Sequence, residues 1–259
     1  MSSGHSILGF AQAGLCRRMP VMNLRSRNVW VLSSIVGIFA AVLLVGAASV
    51  YSANRPPPDY TSTYVPQPPP PRPARLAVIG DSYSAGAADS VAWPELLSER
   101  RGWYLHNISV DGTGYVAGRE MAFPNRFGYL LSQRPDVVVV AGSRNDENSP
   151  PSQVEAAATA LFTELKTKAP KAVVLVIGPI WDSSPPTGGA RAANDATRRA
   201  TESAGFTFVD ALSANWLSDP ALLQADRVHP TDAGQNVLTD RINEIAPDIA
   251  PVPQPRPDR

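Results

Sequence analysis

Two uninterrupted apolar runs, Val137-Val138-Val139-Val140 and Val173-Val174-Leu175-Val176-Ile177, constrain this chain more than any other feature. A strand with one wet face alternates apolar and polar residues; an unbroken β-branched run of this length needs cover on both faces, as in a parallel sheet. With these two runs included, the strand candidates are residues 76–79, 104–110, 137–141, 172–177 and 206–209. Helical periodicity fills the intervals, near residues 93–101, 127–133, 153–168, 190–203 and 231–245. The alternation predicts one α/β domain, a three-layer α/β/α sandwich with a central, mainly parallel five-stranded sheet, over residues 75–246.

In such sheets ligands bind beyond the carboxyl ends of the strands. Three polar blocks fall there. Gly80-Asp81-Ser82 follows the first run, Asn107-Ile108-Ser109-Val110-Asp111-Gly112-Thr113-Gly114 lies at the end of the second, and Gly142-Ser143-Arg144-Asn145-Asp146 follows the third. A fourth block, Asp226-Arg227-Val228-His229-Pro230, returns an aspartate and a histidine near the end of the domain. A serine hydroxyl is a weak nucleophile until a base takes its proton, and an imidazole needs a partner to fix its tautomer. Ser82, His229 and Asp226 are the catalytic candidates. The other histidines suit the role less: His5 precedes the long apolar stretch, and His106 lies inside a strand candidate, where it reads as a packed or rim residue.

With these four blocks in this order the chain resembles the SGNH hydrolases, the GDSL esterases and lipases, across about residues 75–246. Two departures stand out: Tyr83 occupies the position of the family's leucine, and two residues instead of one separate Gly142 from Asn145. The resemblance implies an SGNH, flavodoxin-like fold and carboxylic ester hydrolysis through an acyl-serine. It also implies an oxyanion hole made by the Ser82 amide, the Gly112 amide and the Asn145 side chain. Hydrolysis of an ester substrate, an acylated glycan or a lipid, is the leading reading. The same acyl-enzyme allows transfer to a glycan hydroxyl, and a cleft without chemistry would leave a glycan- or lipid-binding module. Asp81 and Asp146 read as turn braces, Arg144 as a rim or surface-pair cation, Gly114 as a turn glycine, and Trp93, Tyr115, Trp181 and Trp216 mainly as core.

Composition narrows partners. Lys plus Arg and Asp plus Glu both number 23, and this balance argues against a nucleic-acid partner. The single Cys16 excludes an internal disulfide. No cofactor is implied and no metal site is expected: Gly112-Thr113-Gly114 lacks the full dinucleotide or phosphate-loop pattern. Residues 29–51 carry no charge and, at 1.5 Å per residue, span about 35 Å, enough to cross a hydrocarbon core. Arg17, Arg18, Arg25 and Arg27 precede this stretch, so the positive-inside rule leaves residues 1–28 as a cytoplasmic basic segment and the rest extracytoplasmic. Membrane anchoring through residues 29–51 is the expectation; Ala47-Ala48-Ser49 offers the alternative of a cleaved signal and a secreted protein. Nine of the nineteen residues 55–73 are proline, which predicts an extended spacer within a linker at 52–74, and a proline-rich tail at 247–259 reads as disordered.

Overall fold

The computed structural model of the protein describes residues 24–56, 67–86 and 90–254. Two units are distinct, one ending at Pro66 and one running from Gln67 to the carboxyl terminus. In the first, helix α1 (Leu24–Ala53) is a single 30-residue helix. Its segment Asn28–Ala53 has a mean hydropathy of 2.5, long and apolar enough to cross a membrane. The expected basic residues Arg17 and Arg18 and much of the expected spacer lie outside the described residues.

The second unit holds five parallel strands: β1 (Arg75–Gly80), β2 (Tyr104–Asn107), β3 (Val137–Ala141), β4 (Val173–Ile177) and β5 (Thr207–Val209). Their order is β2-β1-β3-β4-β5. The chain moves outward in one direction from β1 to β2 and in the other from β3 to β5, so the crossover direction reverses between β1 and β3. A doubly wound sheet opens a crevice at that point, beyond the strand carboxyl ends.

Period-two alternation sends neighbours on one strand into opposite layers. Leu76, Val78, Val137, Val139, Leu175 and Ile177 pack on one face with Trp93 and Leu97 of α3 (Trp93–Arg101) and Leu238 and Ile242 of α8 (Asp232–Ile245). Ala77, Ile79, Val138, Val140, Val174 and Val176 pack on the other, against α4 (Phe123–Ser132), α5 (Pro151–Lys168) and α6 (Gly188–Ala204). Two further single-turn helices, α2 (Ser82–Ala85) and α7 (Ala211–Ala214), leave the ends of β1 and β5. The uninterrupted valine runs therefore record a sheet covered twice, the α/β/α sandwich that the sequence predicts.

The edges of the domain differ from the sequence expectation. Strand β2 ends at Asn107 instead of continuing to Val110, because the Asn107 side chain turns back to accept from the Ser109 amide and donate to the Ser84 carbonyl. Among the described residues, a few of those expected in the spacer and the disordered tail are paired. In Pro71-Arg72-Pro73 and Pro251-Val252-Pro253 only the central residue has an amide to donate. Those two residues exchange both backbone bonds, Arg72 N to Val252 O at 3.0 Å and Val252 N to Arg72 O at 2.8 Å. Ile249 and Val252 then pack on the first core face.

Candidate active site

The β1 carboxyl end sets the first element of the site. A Cβ at Gly80 would approach the Ser84 hydroxyl to 2.6 Å, so glycine is what lets the chain turn tightly into α2. Asp81 caps that helix, its Oδ1 accepting from the Tyr83 amide at 3.0 Å. Ser82 thus occupies the first helical position, and its amide donates to no group among the described residues. The residue is only 8% exposed.

The returning block forms a tight Asx turn. Asp226 Oδ1 accepts from the amides of Val228 at 2.9 Å and His229 at 3.0 Å, and Oδ2 lies 2.6 Å from His229 Nδ1. Arg227 takes a left-handed backbone conformation, φ 58°, inside the turn. The His229 hydrogen bond, aided by the two amides, lowers the Asp226 pKa to about 2. An ionised carboxylate at this distance fixes the Nδ1–H tautomer and leaves Nε2 as the imidazole's acceptor. The His229 ring lies 6.2 Å, centroid to centroid, from that of Tyr83, the neighbour of Ser82. Gln235 of α8 reaches the same place: its Oε1 accepts from the Trp93 amide and its Nε2 donates to the Tyr83 carbonyl. The Ser82 hydroxyl itself makes no hydrogen bond with His229.

The remaining blocks interlock. Asn145 donates from Nδ2 to the Thr113 carbonyl at 2.9 Å. Buried Asp146 accepts from the amides of Tyr115 at 2.7 Å, Val116 at 3.1 Å and Ala117 at 2.8 Å. It is a brace, as the sequence suggests: it takes the Ser149 hydroxyl of its own turn at 3.4 Å and, more closely, the three amides that follow the second block. Gly114 is more than a turn glycine, since a Cβ there would collide with Ser143 and Asp146. Gly112 is exposed at φ 68°, and its amide, like that of Ser82, has no acceptor among the described residues.

Arg126, Arg144 and Asp182 shape this end of the sheet, and of these sequence reasoning singles out only Arg144. Arg126 of α4 donates to the Ile108 carbonyl, to Thr113 Oγ1 at 2.9 Å and to the Met121 carbonyl at 2.8 Å, and burial lowers its pKa to about 10. Arg144 absorbs the extra residue of the third block. Its guanidinium stands 4.0 Å from the Trp181 ring centroid and 2.7 Å from Asp182 Oδ2, so it is an inward-facing pair and not a solvent-facing cation. Asp182 is buried and is the third. Their charges were visible in the sequence; their partners, distant in the chain, were not. Trp93, Tyr115 and Trp181 are buried, in keeping with their reading as core.

Asp81 yields a stability prediction. Burial raises its pKa to about 6, opposed by the Tyr83 and Arg144 amides. The folded state therefore holds this proton more tightly than the unfolded chain does. The resulting contribution favours folding below about pH 4 and is lost as pH rises through about 6. Asp81→Asn retains the carbonyl acceptor for Tyr83 without the charge. Urea unfolding should find it more stable than the parent at pH 7, by at most about 3 kcal/mol, with the difference vanishing near pH 4. Parallel stability curves for the two proteins from pH 4 to 7 would contradict this.

A 2-1-3-4-5 parallel sheet whose switch-point crevice gathers a serine at the first position of a helix, unpaired amides and an Asp–His pair has the make-up of a hydrolase site. The model of the GDSL-like lipase/acylhydrolase family matches residues 78–237, and the chain belongs to this family. It is 33% identical over 184 residues to GDSL lipase Rv0518 of Mycobacterium tuberculosis H37Rv, covering 64% of this chain and 79% of that one. Among solved structures, TesA superposes with a TM-score of 0.56 at 23% identity, over 65% of this chain and 95% of TesA. The acetylxylan esterase Axe2 of Geobacillus stearothermophilus gives 0.54 at 20% identity, over 69% and 96% respectively. The protein is accordingly a hydrolase of the GDSL lipase and esterase family.

Proposed function

We propose that this protein is an extracytoplasmic serine esterase that cleaves carboxylic esters through an acyl-serine intermediate. Ser82 Oγ attacks the ester carbonyl as His229 Nε2 takes its proton. The tetrahedral oxyanion collects hydrogen bonds from the Ser82 and Gly112 amides and the Asn145 side chain. Collapse expels the alcohol, which receives the proton back from His229. Water, deprotonated by His229, then releases the acid, while Asp226 steadies each imidazolium. The observation that carries the reading is the 2.6 Å His229–Asp226 pair, anchored by two backbone amides next to the α2 turn that presents Ser82.

The His229 side chain is 29% exposed and that of Asp226 47%, so water reaches the imidazole directly. The length and hydropathy of α1 support anchoring, with the enzyme domain outside the membrane. Acylated glycans and lipids of the cell envelope are the substrates this placement would offer. The test is a chain-length series of nitrophenyl esters, from acetyl to long acyl, given to the full chain in detergent micelles with and without oligosaccharide acceptors. Free acid should form at the same rate in both cases. Acyl groups appearing on the saccharide at the expense of free acid would replace the esterase reading with a transferase.

A further inference from the structure

At the opposite end of the sheet from Ser82, the start of β1, the start of β2 and the end of α4 line an open cavity of about 520 Å³. Arg72, Arg75, Tyr104, His106, Gln133 and Arg134 are among its lining residues. The volume lies in the range of small-molecule sites. No carboxylate side chain lines it, and the one acid at its margin is committed: Asp136 takes Arg72 in a two-pronged pair at 2.6 and 3.0 Å and also accepts from the Arg75 amide. Arg75 and Arg134 have no ion-pair partner among the described residues. Three guanidinium groups against a single carboxylate leave a net positive cavity, and the planar donor fork of arginine matches carboxylate and phosphate oxygens.

Two further features separate this cavity from a solvated basic patch. Arg134 follows α4 at φ 49°, where glycine or asparagine would sit with less strain. The arginine held there, at a cost of order 1 kcal/mol, lines the pocket beside Gln133. Tyr104 is 61% exposed and meets His106 edge-on, ring centroids 4.9 Å apart. Burial and the nearby Arg75 lower the His106 pKa, so the imidazole stays a neutral hydrogen-bonding group. An exposed aromatic ring beside polar groups and paired guanidiniums suits a pyranose, with the sugar's apolar C–H face on the ring and an acidic substituent on the arginines. The Arg72 wall is fixed by its exchange with Val252 and its pair with Asp136, so the cavity is formed before a ligand arrives.

We propose that this cavity is a second binding site, for an anionic saccharide, separate from the esterase chemistry. The acidic group is a carboxylate or a phosphate on the sugar, bound by Arg75 and Arg134, with Tyr104 as the stacking surface. Such a site would hold the domain on an acidic glycan while leaving the Ser82 end of the sheet free.

Calorimetric titration of the full chain in detergent micelles tests it, with oligogalacturonate, glucose 6-phosphate, glucose and inorganic phosphate as probes. At least one acidic sugar should bind saturably below about 10 mM, more tightly than either glucose or inorganic phosphate. The better of the two acidic probes identifies the acidic group. Arg75→Gln and Arg134→Gln should each weaken binding about 10-fold. Tyr104→Ala should reduce sugar binding while leaving the response to inorganic phosphate unchanged. All three variants should hydrolyse nitrophenyl acetate at the parental rate, which also reports an intact fold. Because binding is read directly, a failure of the esterase reading would not mask the result. The site is refuted if neither acidic sugar binds, or if binding survives both arginine changes. Equal affinity for inorganic phosphate together with indifference to Tyr104→Ala would refute its saccharide specificity.

Discussion

Ser82→Ala is expected to lower the turnover of nitrophenyl esters by on the order of 10⁵-fold or more while the thermal melt stays close to the parent. The hydroxyl is the only atom that changes. It carries no hydrogen bond among the described residues, whereas the α2 turn rests on the Asp81 cap and the Trp93-to-Ser84 bond, which the substitution leaves in place. His229→Ala should fall to a similar level, and the double variant should be little worse than either single one, because nucleophile and base act as one unit. Steady-state kinetics on the three proteins check this. Multiplicative losses in the double variant would show that the two residues act independently.

The second large effect falls on Asn145. Its amide has two hydrogens and one is used on the Thr113 carbonyl, which leaves the other for an oxyanion. Removing one such donor typically lowers kcat by 10²- to 10³-fold, about 3 to 4 kcal/mol. Asn145→Ala should show that loss mainly in kcat, with KM nearly unchanged, since the developing negative charge exists only in the transition state. The lost tether to Thr113 is a smaller matter. The same loop remains held by three amide bonds to Asp146 and by Arg126 on Thr113 Oγ1. A rise in KM with kcat preserved would instead assign Asn145 to substrate binding.

Most of the scaffold was legible because its signals are local. Val137–Ala141 is a strand at the predicted bounds, and the Val173 run begins one residue later than expected. Pattern was less informative where an element's end depends on a side chain or on a distant partner. Helix α4 starts at Phe123, ahead of the periodic stretch at 127–133, because Pro124 supplies a favourable first turn. The pairing of Arg72 with Val252 was hidden because proline-rich segments ordinarily lack donors, and only the tertiary fold brings the two surviving amides opposite one another. The candidate site divides in the same way. The Asp226–His229 pair is a three-residue turn and was readable from spacing, whereas the Asp146 brace spans about 30 residues and the Arg144–Asp182 pair joins loops from two strands. Arg144 reads as a rim or surface-pair cation because its sequence neighbours give no hint of Trp181 or Asp182.

The central claim is that Ser82 is the nucleophile of an acyl-enzyme, and the most direct measurement is covalent labelling of the full chain by a fluorophosphonate, followed by intact-mass analysis and peptide mapping. One adduct is expected per chain, on the peptide containing Ser82, absent from Ser82→Ala and formed far more slowly in His229→Ala. An unlabelled parent protein, or an adduct on any other residue, would contradict the account.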